Sequence, residues 1–573
     1  MIKKSKIPLI AYGALLGGVT FLLIYGFSSL DIFNINWIMN GHVEKDITCE
    51  YAGLLHFINS PWKWPGVIEN IGYPYGNSIA LTGPNAIMGI PMKLLSGIIP
   101  FGAQYFGWWI FFCYIMQGVG AALVAGLFTT DIFSITSCVL LFTTSPILAE
   151  RSFRHCGLAI HFVLLLAYYL YITNSRQPQK GLWWKSAVLS AVSIAVFPYF
   201  YPMVLGIITA LLIETYKRDK SIKKILSVYA ANIAVVPIIG YPIGMFYAKG
   251  GVARTGYGIF SLNLNQPFNP ESRNALAEGN QLGSIIWSRI LKPQSVSSGQ
   301  YDAFNYLGFG VILCLILLFA YFVITKRSKI FSFAFSMFKH HPMLALVEIG
   351  FTLYALSNVI YFGTSLVLQY PLPEIANKIT GLFRSGGRIF YGVYYFIFIF
   401  CIAMILKHFK KQAAAIMLAV LLVVQVWDIS PGLMWKHDYF KEQQSYQNPW
   451  QSELVDYVGD NYDNLFFVTN PNSNEHELSV LLAQKGLVTN LNSSPLDYIH
   501  RSDEFVKYKI TLLQHGVVLD NEAFVVDNNA LFNELKAATE GKMIAVSDEH
   551  FNMLLPTLDG KAPPKTMPQV PDK

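Results

Sequence analysis

Charge is scarce in this sequence. Only 13% of its 573 residues are Asp, Glu, Lys or Arg, against about 25% in an ordinary soluble domain. With 53% apolar residues and a mean hydropathy of +0.40, that scarcity excludes a soluble enzyme on a single anchor and leaves a polytopic membrane protein. Cysteine is also sparse, and Cys49, Cys113, Cys138, Cys156, Cys314 and Cys401 have no metal-ligand spacing. Four lie in apolar runs and read as small hydrophobes. Cys49 and Cys156 fall in expected external loops, where two unpaired thiols are expected rather than a disulfide. There is no P-loop, H-E-x-x-H, G-x-S-x-G or CxxC pair, so neither a nucleotide nor a redox cofactor is expected. The net charge of +7 does not point to nucleic acid, because the basic residues concentrate in short loops between apolar runs.

Long apolar runs and aromatic side chains are abundant. Aromatics make up 15% of the chain, as interfacial belts require. A membrane helix needs about 20 apolar residues. Eleven segments approach that length: 7–29, 104–128, 132–148, 157–173, 182–196, 199–214, 225–247, 305–324, 342–363, 389–406 and 412–427. The first follows Lys3, Lys4 and Lys6 without an A-x-A site and reads as an uncleaved helix. Residues 85–99, punctuated by Pro84, Pro91 and Pro100, read as a short interfacial or re-entrant helix.

With eleven spans, the basic loops 174–185, 215–224, 325–341 and 407–411 all fall on the side of the N-terminus, which the positive-inside rule makes cytoplasmic. Loops 30–103, 149–156, 248–304 and 364–388 and the tail from Asp428 then lie on the opposite face. Within the tail, strands are expected at 464–469, 486–489, 523–526 and 542–546, and helices at 475–485, 503–515 and 529–540. That alternation indicates a small α/β domain. The expected organisation is a membrane domain over 1–430, an extracytoplasmic α/β domain over 431–560, and a disordered Pro- and Lys-rich tail over 561–573.

Four stretches carry candidate chemistry. Residues 41–65, GHVEKDITCEYAGLLHFINSPWKWP, hold Glu44, Asp46 and Glu50 with His42 and His56. A carboxylate at the membrane surface can act as a general base towards a hydroxyl or hold a divalent cation beside a phosphate. It can equally sit in a solvated loop. Residues 149–156, AERSFRHC, offer Arg151, Arg154 and His155, with His161 beyond. These are either snorkelling groups or a site for a lipid phosphate, whose oxygens suit guanidinium forks. In 381–388, GLFRSGGR, a Gly-Gly pair between Arg384 and Arg388 precedes a helix, a pattern that can bind an anion or form an ordinary turn. Residues 299–308, GQYDAFNYLG, following SLNLNQPFNP at 261–270, place Gln300, Tyr301, Asp302 and Asn305 on an external loop that could contact a sugar.

In that order, the early Asp46 with LLHFINSPWKWP and YPYGNSIA, then Arg151 to His161, then SSGQYDAFNYLGFGV, then FRSGGRIFYGVYYF, the chain resembles GT-C-type integral-membrane glycosyltransferases. More narrowly, it resembles a poorly characterised bacterial inner-membrane group of that architecture. The resemblance implies a sugar taken from a polyprenyl-phosphate donor and passed to a cell-envelope glycan or lipid, such as lipopolysaccharide or O-antigen, on the outer face. It implies Asp46 as the base, Glu44 as helper or metal ligand, and Arg151, Arg154, His155, Arg384 and Arg388 around the lipid phosphate. Many relatives carry two adjacent acids, whereas Lys45 separates Glu44 from Asp46 here. Three other readings stand beside this one: an envelope-lipid flippase or transporter, an O-antigen-type polymerase, and a non-catalytic assembly factor. The first is disfavoured because the apolar segments are nearly free of charge, Glu348 being the clearest exception.

Overall fold

The computed structural model describes residues 6–40, 45–247, 256–277, 281–325, 340–441, 445–468, 475–492 and 502–557. Glu44, His42 and the 561–573 tail lie outside these residues. The chain forms two compact units. The first comprises Met1–Asn34, Tyr105–Ile239 and Arg254–Gln443; the second comprises Ile35–Gln104, Gly240–Ala253 and Gln444–Lys573. The division cuts across the expected boundary near residue 430, because the first long loop folds with the C-terminal region.

The first unit is a bundle of apolar helices. Seven helices among the described residues are long and apolar enough to cross a membrane, and the chain is a multi-pass membrane protein. Four other expected spans form shorter apolar helices: Ile132–Thr143, Leu182–Val196, Phe309–Thr325 and Pro342–Leu356. Ile7–Tyr25 packs on Phe106–Ala125 through glycine. A Cβ added at Gly17 would lie 2.1 Å from the Tyr114 carbonyl oxygen, and one at Gly118 would lie 2.1 Å from that of Gly13. Such backbone-to-backbone contact drives helix association where no hydrophobic effect operates between lipid-solvated faces.

The last helix corrects the expected end of the membrane segment at 427. It runs unbroken as Lys411–Lys441, with Gln425, Asp428, Gly432 and Lys436 on its buried face. Asp428 is fully paired inside the protein. Tyr306 donates its hydroxyl (2.6 Å) and Phe309 its backbone N–H (2.9 Å) to the Asp428 carboxylate, which tethers the start of helix Phe309–Thr325.

The second unit is α/β. Its four-stranded sheet pairs Asn464–Phe467 in parallel with Glu522–Val525, which continues antiparallel to Asn552–Pro556 and then Met543–Ser547. The last strand along the chain, Asn552–Pro556, has no counterpart in the expected elements. Residues 486–489 make only an isolated bridge, Asn464 to Val488.

The acid-bearing stretch expected as a loop is mostly the helix Lys45–Asn59. Ile47, Tyr51, Leu54 and Leu55 on it are completely buried, and burial of such side chains is what makes the segment part of this unit. The helix packs on Glu475–Gln484. Asn59 donates to the Ala483 carbonyl oxygen at 2.6 Å, and the Gly72 and Tyr73 N–H groups bond the Leu491 and Thr489 carbonyls at 2.8 and 3.0 Å. Buried Lys93, on the short helix Ala86–Leu94, donates at 2.6 Å to the Phe57 and Ser60 carbonyls and so caps the end of Lys45–Asn59. All six cysteines are buried and none forms a disulfide.

His56 welds this contact. Its Nε2 lies 3.1 Å from both the carbonyl oxygen and the hydroxyl of Ser479, which makes Nε2 a protonated nitrogen. Burial pushes the imidazole down to about 4, only partly opposed by the bond to Ser479. The unfolded chain binds a proton near 6.5, so the unfolded state gains protons first as pH falls. The second unit is therefore expected to lose stability between pH 6.5 and 4, by about 3 kcal/mol in total from this residue. Unfolding followed by tryptophan fluorescence across that range checks this, with His56→Gln as the variant whose pH slope should flatten. An equal slope in both proteins would remove His56 as the cause.

Candidate functional site

In the first unit, three stretches far apart in sequence converge on one buried carboxylate. The short helix Pro146–Arg151 starts on a proline, whose fixed φ suits the first turn, and delivers Arg151 at its end. The 3-10 turn Gln300–Ala303 carries Asp302. The 3-10 turn Gly386–Phe390 delivers Arg388 and leads straight into helix Tyr391–His408.

Arg388 grips Asp302 as a fork, Nε to Oδ2 at 2.9 Å and Nη2 to Oδ1 at 2.8 Å. Arg151 donates Nη1 to Oδ1 at 3.1 Å, Nη2 to the Asp302 carbonyl oxygen, and Nε to the Tyr391 hydroxyl at 2.8 Å. Burial by itself would raise the Asp302 carboxyl, but Arg388 and Arg151 outweigh it and hold the group at about 2. The carboxylate is therefore ionised at any physiological pH. Arg151 is spent within the network. Arg388 keeps 13% of its side chain exposed, and its fork on Asp302 uses Nε and Nη2 and not Nη1.

The surroundings rigidify this pair. Phe197 and Tyr199 lie beneath the Arg388 guanidinium, 5.5 and 5.4 Å from it, a cation–π cradle. Arg154 pairs with Glu150 at 2.8 Å, and Glu150 also accepts from Trp287 Nε1 at 3.2 Å. Burial, with Arg388 and Arg151 nearby, pushes the His155 imidazole down to about 3, so that ring is neutral. It meets Phe197 edge-on at 4.7 Å. His161 stacks on Tyr391 and bonds the Tyr395 hydroxyl through Nδ1 at 2.8 Å. Arg384 is half-buried over Phe260. Tyr391 and Tyr395 were not singled out from the sequence, yet they follow Arg388 by three and seven positions, the spacing that shares a helix face.

The Gly-Gly pair is not an anion nest. The N–H groups of Gly386, Gly387 and Arg388 bond the carbonyls of Arg384, Phe260 and Ser385 at 3.0, 3.0 and 3.1 Å. The glycine is needed for closeness instead. A Cβ on Gly387 would lie 2.2 Å from that of Ala303, so only glycine lets the Arg388 turn rest against the Asp302 turn.

The amide-rich loops also differ from the expected sugar-contacting surface. Gln300 and Asn305 are fully buried. Gln300 accepts from Asn263 at 2.8 Å and donates to Ser261 at 3.1 Å. Asn305 donates to the Ala303 and Gly387 carbonyls at 2.9 and 3.1 Å. Asn269 is bonded to Gln294 in both directions. These amides hold the turn that presents Asp302, because buried polar groups must find partners. Tyr301 is half-exposed beside them.

In the second unit, Asp46 lies in the first turn of Lys45–Asn59 and is half-buried. A helix N-terminus favours a carboxylate there. Glu50, one turn on, is buried. Among the described residues no group of three or more His, Cys, Asp or Glu side chains is arranged to hold a metal ion.

A family model described as a domain of unknown function, DUF6311, matches residues 14–430. The chain belongs to the DUF6311 family. Arg151, Asp302 and Arg388 all fall within the DUF6311 region, as does Asp46. No curated protein matches the chain. Among solved structures it is similar to the oligosaccharyltransferase AglB of the archaeon Archaeoglobus fulgidus, in complex with an inhibitory peptide and a dolichol-phosphate. The identity is 11% and the TM-score 0.39, over 98% of this chain and 75% of that one.

Proposed function

We propose that this protein is a membrane glycosyltransferase that moves a sugar from a polyprenyl-phosphate donor to a cell-envelope glycan or lipid on the outer face of a bacterial inner membrane. The observation that carries the reading is the Arg388 fork. A guanidinium held by the Asp302 carboxylate, which Arg151 fixes in place from its other side, with Nη1 left outside the fork, is a preorganised contact for a phosphate oxygen. In this reading the acceptor hydroxyl attacks the anomeric carbon as the bond from that carbon to the donor phosphate breaks. The phosphate leaves with the electron pair, stabilised by Arg388 and Arg384, and Asp46 takes the hydroxyl proton. Glu44 assists Asp46, directly or through a divalent cation. A single displacement of this kind inverts the anomeric centre, and no nucleotide is consumed.

The test compares cell-envelope glycans and lipid-linked sugars with and without the gene. Loss of the gene should remove a glycan modification and accumulate its lipid-linked donor. Arg388→Ala should raise the donor concentration needed for half-maximal transfer about tenfold to a hundredfold, the weight of a charged hydrogen bond. Unchanged donor dependence would take Arg388 out of the site. A lipid flippase is the second reading. Glu348 favours it, being buried in helix Pro342–Leu356 with the Tyr168 hydroxyl at 2.6 Å. A flippase would move the lipid-linked sugar across the bilayer without shortening it.

A further inference from the structure

A cavity of about 640 Å³ opens in the membrane unit, well away from the arginine network. It is walled by three helices, Phe162–Arg176, Pro342–Leu356 and Tyr391–His408. Arg388 precedes the last of these and Lys407 closes it. At about 1.5 Å per residue, the two cations are about 30 Å apart along the same element.

The walls and the rim of this cavity differ in chemistry. Ile172, Leu344, Phe396, Ile399, Ala403 and Met404 supply hydrocarbon. Arg176, His340, His341 and Lys407 stand at one end, Arg176 and Lys407 in the last turns of two of the helices and the histidines just before the third. Arg176 is pre-positioned, with Nη1 donating to the Leu127 carbonyl at 2.9 Å and the guanidinium over Phe128 at 5.3 Å. The acid nearby is already engaged. Glu214 accepts from the N–H groups of Met343 and Leu344 at 2.8 and 3.0 Å and faces His341 at 3.3 Å. It lies at the same end of the cavity, and its charge is taken up there by the two N–H groups of a helix N-terminus and by His341.

We propose that this cavity is a lipid-binding site for an anionic phospholipid of the adjoining leaflet. Its phosphate lies between Arg176 and Lys407, and an acyl chain lies against Ile172, Leu344 and Phe396. The volume falls within the range of about 300–1,000 Å³ of small-molecule sites, which pair apolar walls with a few placed polar groups. A free phosphate or a sugar would leave the hydrocarbon walls unsatisfied, and a neutral hydrocarbon would leave the cations unused. The rim lies at the end of the bundle that carries the basic loops, where juxtamembrane lysine and arginine meet anionic head groups. The proposal does not depend on the sugar-transfer reading, since it concerns the opposite end of the bundle.

The test is native mass spectrometry of the full-length protein, stripped of lipid in detergent and offered phosphatidylglycerol, phosphatidylethanolamine, a polyprenyl phosphate or inorganic phosphate. Phosphatidylglycerol should bind best. The double substitution Arg176→Gln with Lys407→Gln should weaken that binding at least tenfold, and so should Ala403→Trp, which fills the cavity. The two charge substitutions are at exposed positions, so they stay informative if the tryptophan variant fails to fold. Undiminished phosphatidylglycerol binding in the charge variant, or preferential binding of polyprenyl phosphate or of the zwitterionic lipid, would overturn the assignment.

Discussion

Asp302→Ala is expected to destabilise the membrane unit by about 3–5 kcal/mol, the cost of removing one partner from a buried ion pair. The substitution strands two guanidiniums, Arg151 and Arg388, whose side chains are only 4% and 13% exposed. Arg151 would keep its bonds to Tyr391 and to the backbone carbonyl of residue 302, while Arg388 would lose both bonds of its fork. The loss should therefore fall hardest on the Arg388 turn. Asp302→Asn tests the charge separately from the shape. It keeps an acceptor oxygen but presents an amide donor to a guanidinium, so it should cost nearly as much.

Replacing all three residues with apolar side chains of similar volume should restore much of the stability but not the activity. That pattern would mark the network as retained for what Arg388 presents. Thermal unfolding of the detergent-solubilised protein reads these effects. A loss below about 1 kcal/mol for Asp302→Ala would show that the pair is not held as a closed network.

The second large effect is expected at Asp46. Asp46→Asn should lower sugar transfer by about 10²- to 10⁴-fold, the usual contribution of a positioned general base. The protein should still insert and accumulate. Asparagine has the same volume and keeps an oxygen for the helix N-terminus, so the anchoring of Lys45–Asn59 through His56, Asn59 and Lys93 is untouched. Transfer is read as conversion of the lipid-linked donor in vesicles carrying the variant. Near-normal turnover in Asp46→Asn would sink the assignment of the base, whatever happens at Arg388. The two variants thus probe separate units of the chain: one the acceptor proton, the other the leaving phosphate.

The helical segments were legible because a bilayer demands long apolar runs, and each expected run contains a helix. The end of the last one was misjudged at Trp427 because Asp428 breaks the hydropathy. Its periodicity did not break. Gln425, Asp428, Gly432 and Lys436 continue the buried face of Lys411–Lys441, so spacing carried information that polarity concealed. The same confusion of polarity with exposure affected Gln300 and Asn305, which looked like surface ligands and are buried ties. A polar side chain on a loop reads identically whether its partner is water, a sugar or another loop.

Composition and local pattern alone determined that this is a multi-pass helical membrane protein with an α/β region near its C-terminus. Those properties follow from hydropathy and period, which each segment carries by itself. Only the tertiary structure decided that residues 45–80 belong with the C-terminal sheet, that the Gly387 backbone closes on Ala303, and that Arg151 and Arg388 share Asp302. Each of these is a pairing of residues from about 80 to more than 400 positions apart. Nothing local encodes such a pairing, because its free energy comes from the partner that folding brings into contact.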